Sequence, residues 1–347
     1  MPTLWFCLVA VMLAGYVILD GFDIGAGILH LFVAKNDAER RSVLASIGPV
    51  WDGNEVWLLA AGGTLYFAFP GLYASSFSGF YLALMIVLWL LILRGISIEF
   101  RNHVVHEMWQ SFWDVIFAGA SILLAVFYGA ALGNVVRGVP ISDDGYFFLP
   151  LWTNLQPGSE PGLIDWYTAL IGVTALVALT IHGALWVALK TEGEVRIRCQ
   201  AIVKRFLVVL LLLVILTSIA SFSIQPLLLR SFVNNPWGIV FPVLSAAGFA
   251  GMGYFLSRQR EQEAFLSSCA FVLGLLTSAA MGLYPNLLPS NGVAGRGLTI
   301  ANVSAADYGL RVGLVWFIPA FCLALGYSFF VYRHFAGKVD VQSHEHY

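Results

Sequence analysis

The sequence predicts an all-α, polytopic integral membrane protein with about nine transmembrane helices. Three observations carry that expectation. Of 347 residues, 59% are hydrophobic and 11% charged, with a mean hydropathy of +0.82, whereas a soluble domain carries about 25% charge. Apolar stretches recur at the length of about 20 residues that a bilayer core about 30 Å thick demands. Lysine and arginine concentrate in alternate connections. This composition excludes a soluble enzyme, a disordered chain and a disulfide-stapled secreted domain. A net charge of −2 offers no basic field for nucleic acid. Cys7, Cys199, Cys269 and Cys322 have neither CxxC pairing nor metal-ligand spacing, so no metal site is expected.

Taken in order, the expected spans are 4–33, 51–70, 78–97, 111–136, 163–190, 204–225, 237–257, 264–284 and 308–333. Nothing positive precedes the first, and no small-residue cleavage site follows a short apolar core, so it reads as a span and not a signal peptide. Pro70, Pro226 and Pro285 close the second, sixth and eighth, because proline cannot continue a helix. No strand alternation of the outer-membrane barrel kind runs through these segments. The connections after the first, third, fifth and seventh spans, with the tail, hold most of the basic residues, including Lys35, Arg101, Lys190, Arg258 and Arg333. Only Arg137, Arg230, Arg296 and Arg311 fall on the other side. The positive-inside rule then places the N-terminus outside and the C-terminus in the cytoplasm, and the alternation requires an odd number of spans. The segments 137–162 and 285–307, rich in Gly, Pro and Asn, read as outward capping loops. Residues 1–347 form one integral membrane domain, with a first group of helices over about 1–136, a second with the last helix over about 163–335, and a cytoplasmic tail at 336–347.

An ionisable group inside a span costs on the order of 3 kcal/mol by insertion scales and is a functional candidate by default. LDGFDIGAG places Asp20 and Asp23 three residues apart on one helix face, near the middle of the first span. Gly21, Gly25 and Gly27 beside them permit close approach of a neighbouring backbone. The second span opens with WDGNEVW, residues 51 to 57, at its cytoplasmic end, where Asp52 and Glu55 are again three apart. An acid in a first helical turn is favoured by the helix dipole, so Asp52 by itself reads equally as a cap. Together these acids form a graded series from the cytoplasmic face to mid-membrane. Two readings stand: a proton relay or ion site, and a polar cluster that glues helices together. Arg94, Glu99 and Arg101 in RGISIEFR read as an interfacial ion-pair group or as pocket residues. Trp113 and Asp114 read as an anchor, and Asp165 as a helix cap. His30 and His182 are the only histidines placed to ligate haem, and each reads more simply as an interfacial histidine.

With DGFDIG, WDGNEVW, FSGFY (77–81), RGISIEFR and GNVVRGVP (133–140) in that order, and HGALWVALKTEGE (182–194) after them, the chain resembles subunit II of the cytochrome bd-type quinol oxidases over essentially its whole length. That resemblance implies two four-helix bundles plus one peripheral helix. It implies a complex in a bacterial or archaeal cytoplasmic membrane that oxidises quinol and reduces dioxygen to water, taking the chemical protons from the cytoplasm. The partner is a haem-bearing subunit I that carries haems b and d, and the complex has room for small accessory subunits as further partners. This chain would hold no haem itself; a bound quinone occurs in some members. The resemblance gives Asp23 and Asp52 to proton delivery, with Asp20 and Glu55 beside them. It gives Trp57 to the entrance of an oxygen channel, and Trp51 to the neighbourhood of a quinone. Asn54, Arg94 and Arg101 are expected near the same quinone or haem contacts. Glu55 stands where other members can have glutamine, and the outward segment between the sixth and seventh spans is short. Two other classes fit the residues alone: a secondary transporter with a mid-membrane carboxylate site, and a purely structural membrane partner.

Overall fold

The computed structural model describes residues 1–158, 160–292 and 297–339. Among them run twelve α-helices: α1 (Pro2–Val33), α2 (Asp37–Ile47), α3 (Trp51–Ala68), α4 (Pro70–Gly79), α5 (Tyr81–Phe100), α6 (Glu107–Arg137), α7 (Trp166–Lys190), α8 (Gly193–Ile224), α9 (Pro226–Asn234), α10 (Val240–Ser257), α11 (Glu261–Leu283) and α12 (Asp307–His334). The only strands described are a short antiparallel pair, Asn286–Leu288 with Leu298–Thr299, in the connection before α12. The expected all-α polytopic architecture is the one observed.

Among the described residues eight helices are long and apolar enough to cross a membrane: α1, α5, α6, α7, α8, α10 with the turn before it, α11 and α12. The expected second span is α3. It has 18 residues, and the polar side chains of Asp52, Asn54 and Glu55 in its first two turns leave it short of that apolarity. Its course nevertheless runs through the whole bundle. Its first residues follow α2, whose Ser46 carbonyl accepts from Trp186 at the end of α7 (3.0 Å). Its last residue, Ala68, accepts a backbone hydrogen bond from Ala305 at the start of α12 (2.9 Å).

Local chemistry sets several boundaries. The Asn36 side chain caps α2 by accepting from Glu39 N at 2.9 Å. Asp165 and Thr168 form a capping box that opens α7. Pro70 and Pro226 end the spans before them and open the short helices α4 and α9, where a missing N–H costs nothing. α8 begins eleven residues before the expected 204, because its first three turns are charged and lie below the apolar segment.

α1 is the axis of the bundle, packing on α3, α6, α7 and α11, while α10 pairs along its length with α11. The tightest crossing is α1 on α7. A methyl group on Gly25 would overlap the Leu179 carbonyl oxygen and the Gly183 backbone, so only glycine lets these helices approach so closely. One apolar core runs from this crossing to the end of the bundle where Lys190, Lys338 and Glu261 meet. A second, around Trp5, Phe69, Phe147, Leu288 and Leu310, closes the opposite end beneath the segments 138–165 and 284–306. The tail expected at 336–347 is described to residue 339, where Val339 N donates to Lys190 O (2.8 Å); positions 340–347 lie outside the described residues, as does Arg296.

Candidate functional site

Asp20 and Asp23 are fully buried in α1. Asp20 Oδ1 lies 2.6 Å from Arg94 Nη2 of α5, and the same nitrogen donates to Glu55 Oε2 of α3 at 3.1 Å. The Asp20 contact is an ion pair without hydrogen-bond alignment. Both Asp20 oxygens, Asp23 Oδ1, and Nε and Nη1 of Arg94 have no hydrogen-bond partner among the described residues. Asp23 Oδ2 accepts from Asn54 Nδ2 of α3 at 2.8 Å, and Asn54 Oδ1 accepts from the Tyr332 hydroxyl of α12 at 2.7 Å. One turn before Asp20, the hydroxyl of Tyr16 meets that of Tyr128 from α6 at 2.7 Å. Two carboxyl groups, Asp20 and Glu55, therefore share one buried guanidinium, and a third, Asp23, lies one turn along α1 on the Asn54 amide. Burial of that kind is costly unless the charges are paired or protons are held with them.

The remaining expected residues lie as follows. Glu55 is a quarter exposed, at 25%, so the cluster reaches the lateral surface of the bundle through α3. Asp52 is exposed in the first turn of α3, and no hydrogen bond or ion pair joins it to Asp23 among the described residues. The Trp51 ring lies against Gly95 of α5, and the Trp57 ring against Gly15 of α1 and, at 5.9 Å, Phe321 of α12.

Arg101 belongs to a different cluster. The fully buried Asp114 receives Arg101 Nε (2.6 Å), Arg40 Nη1 (2.9 Å) and the His30 Nε2 contact (2.6 Å), while Arg101 Nη2 donates to Asp37 (2.8 Å). This group ties α1, α2, α5 and α6 together beside the loops rich in lysine and arginine. Sequence reasoning took Asp114 for an anchor, because an acid near a helix start is ordinary. Arg101, thirteen residues before Asp114 on the next helix, was the available hint of a shared ion pair. Tyr332 and Tyr128 carried no signal, since a tyrosine in a span reads as an interfacial anchor. Tyr16 did carry one, four residues before Asp20 on the same face.

His182 has both ring nitrogens engaged, Nδ1 with Ser268 Oγ (2.7 Å) and Nε2 with Ile18 O (2.8 Å). His30 holds Asp114. The two do not form a ligand pair, and among the described residues no group of three or more His, Cys, Asp or Glu is placed to hold a metal ion.

The model of the cytochrome bd terminal oxidase subunit II family matches residues 1–335. The chain belongs to that family. A probable cytochrome oxidase subunit 2 of Haemophilus influenzae is 31% identical, over 97% of this chain and 94% of its own length. The cytochrome bd-I ubiquinol oxidase subunit 2 of Escherichia coli K12 is 30% identical over 99% and 97%, and the Bacillus subtilis cytochrome bd ubiquinol oxidase subunit 2 is 29% identical over 95% of each. The fold is shared with a chain of the bd oxidase structure from Geobacillus thermodenitrificans, with a TM-score of 0.75, 17% identity, and coverage of 96% of this chain and 98% of that one. As a cytochrome bd subunit II, the chain is one part of an oxidase complex, and the secondary-transporter and purely structural readings give way to that assignment. The Asp20–Arg94–Glu55 group then lies in a subunit of a quinol oxidase complex.

Proposed function

We propose that this chain is the non-haem subunit of a quinol:dioxygen oxidoreductase of a bacterial or archaeal cytoplasmic membrane, and that its buried carboxylates deliver protons to the haem-bearing subunit I. The observation that carries the reading is the pair of fully buried acids, Asp20 and Asp23, with oxygens that have no hydrogen-bond partner among the described residues, and with Asp20 and Glu55 on a single guanidinium. A group that only glues helices has its hydrogen bonds satisfied. A group that accepts and passes protons needs an open oxygen within reach of a donor or one intervening water.

In this reading Asp52 takes protons at the exposed start of α3, Asp23 receives them, and Asp20 and Glu55, held together by Arg94, pass them towards the bundle surface where subunit I docks. Arg94 limits the charge the cluster accumulates, since a guanidinium is never deprotonated in a protein. The haems b and d of subunit I supply the oxygen chemistry, and the residues of this chain supply proton movement alone. Trp57, two positions after Glu55, stands at the oxygen entrance, and Trp51 beside a quinone in a complex that binds one. Asn54, Arg94 and Arg101 already have protein partners, so their contribution to that neighbourhood is to fix the helices around it. The donor is a quinol, as the names of the Escherichia coli and Bacillus subtilis relatives indicate. The helices divide into a first bundle over 1–136 and a second over 163–335 with α12 peripheral.

The test is oxygen consumption by the purified complex carrying Asp52→Asn or Asp23→Asn. Each substitution is expected to slow turnover by about 10²-fold or more, the size of a lost proton-transfer group, with the haem spectrum intact. Wild-type rates from both variants would refute the relay.

A further inference from the structure

We propose that Tyr332, near the end of α12, is a positioning residue for Asp23 and acts through the Asn54 amide; the inference rests on the reading of Asp23 as a proton relay. Asn54 is 3% exposed and both ends of its amide are engaged. Nδ2 donates to Asp23 Oδ2 (2.8 Å) and to Leu19 O (3.2 Å), and Oδ1 accepts from the Tyr332 hydroxyl (2.7 Å). A carbonyl can only accept, so Leu19 O turns the amide nitrogen towards α1, and the phenol completes the arrangement by donating to the oxygen on the other side. The ring that carries this hydroxyl is fixed by edge contacts to Trp186 (6.0 Å, 77°) and Phe22 (6.5 Å, 81°). Its outer side lines a cleft of about 270 Å³ between residues 45–50 and the ends of α7 and α12.

An amide does not pass protons along itself, so Tyr332 does not carry the proton. Donation to Oδ1 polarises the amide and strengthens the N–H bond to the carboxylate, because hydrogen bonds in series reinforce one another. It also keeps Asp23 Oδ1, which has no hydrogen-bond partner among the described residues, aimed in one direction. α12 is otherwise a peripheral helix, with none of its apolar stretch buried. One hydroxyl from this helix thus sets the geometry of an acid on the axial helix of the bundle.

The experiment uses the assembled oxidase, with rates per haem so that lost assembly does not register as lost activity. Tyr332→Phe removes one oxygen and keeps the ring. Its kcat is expected to fall about 3- to 10-fold, the size of one neutral hydrogen bond, with the KM for quinol and the haem spectrum unchanged. The carboxyl infrared band that disappears in Asp23→Asn should be displaced in Tyr332→Phe. In an Asn54→Ala background, Tyr332→Phe should add no further loss. Wild-type kcat with an unmoved band would overturn the proposal, and so would an equal loss with and without Asn54. If Asp23→Asn itself turns over normally, the relay reading fails; the infrared band then still decides whether Tyr332 governs Asp23.

Discussion

Arg94 shows how one side chain holds the site together. Its guanidinium and Asp20 are both fully buried, and Glu55 closes on the same nitrogen. Burying an ion pair gains little over an apolar pair of the same size, but removing one partner strands the other without compensation, at a cost of about 3–5 kcal/mol. Arg94→Gln should therefore lower the thermal stability and haem retention of the purified complex sharply, and Asp20→Asn somewhat less, because Glu55 remains to balance Arg94. The double variant Asp20→Asn/Arg94→Gln should recover part of the loss. A double variant as unstable as the sum of the singles, measured by thermal inactivation, would show that the two side chains do not act as a pair. The acids of this site were legible in the sequence because carboxylates in an apolar run are expensive and stand out, whether they relay protons or join helices. Asn54 was legible as a neighbour of Asp52 and Glu55 in WDGNEVW, whereas Arg94, in RGISIEFR, read only as an ion-pair or pocket residue with Glu99 and Arg101. Tyr332 was not, being 278 residues from Asn54, and no local pattern links residues brought together by the packing of the last helix. Asp114 was misread for the opposite reason, since its position at a helix start supplied an ordinary explanation for what is a buried ion-pair centre.

At the scale of helices, apolar length placed most elements but could not place their ends. α8 was cut short because Arg196, Arg198 and Lys204 resemble a loop in composition, although its 32 residues make a rod about 48 Å long that continues beyond the bilayer. α3 was found by its motif and its closing proline, and its polar opening weakens its apolar signal. The glycines of α1 were read as permitting close approach, and the α1–α7 crossing at Gly25 and Gly183 is such an approach. Gly25→Ala should cost about 1–3 kcal/mol by overpacking and lower the yield of assembled oxidase. Gly119→Ala in α6, where nothing lies within 4 Å of the added carbon, should be neutral or gain up to about 1 kcal/mol from helix propensity. Equal yields from both would refute the packing argument. α2 is held from outside the apolar region. Glu39 is pushed up by burial, but hydrogen bonds from Arg198 and the Lys35 N–H outweigh this, and its carboxyl sits below the ordinary value. A depressed carboxyl stabilises the folded state above the carboxylate range and loses that contribution as the pH falls through it. Protease cleavage within α2 in inverted membrane vesicles should therefore rise as the pH is lowered towards 4, and Glu39→Gln should remove most of that dependence.

For the molecule as a whole, the orientation of everything beyond α3 depends on whether that helix crosses the membrane. Its apolarity alone does not decide the matter, since eight other helices exceed it. Its ends do. Trp51 starts among α2 and the end of α7, and Ala68 finishes against Ala305 at the opposite pole, a path of 18 residues or about 27 Å, close to the hydrocarbon thickness of about 30 Å. If α3 stayed on one side, every later connection would invert relative to residues 34–50, and the loop holding Lys190, Arg196 and Arg198 would face outward, against the positive-inside rule. The structure joins these two regions directly, because Arg198 bonds both Val33 O and Glu39 (each 2.7 Å), so they share one side. Single cysteines at exposed Ala38 and Glu192, introduced after replacing the four native cysteines, two of which are exposed, should therefore react together. A membrane-impermeant thiol reagent should label both in inverted vesicles and neither in intact cells with a permeable outer envelope. A cysteine at exposed Asp144, one span away from Glu192 across α7, should show the reverse pattern. Labelling of positions 38 and 192 from opposite sides would mean that α3 does not cross, and would place Asp52 and Glu55 at a single membrane face, with no path from the cytoplasm to the middle of α1.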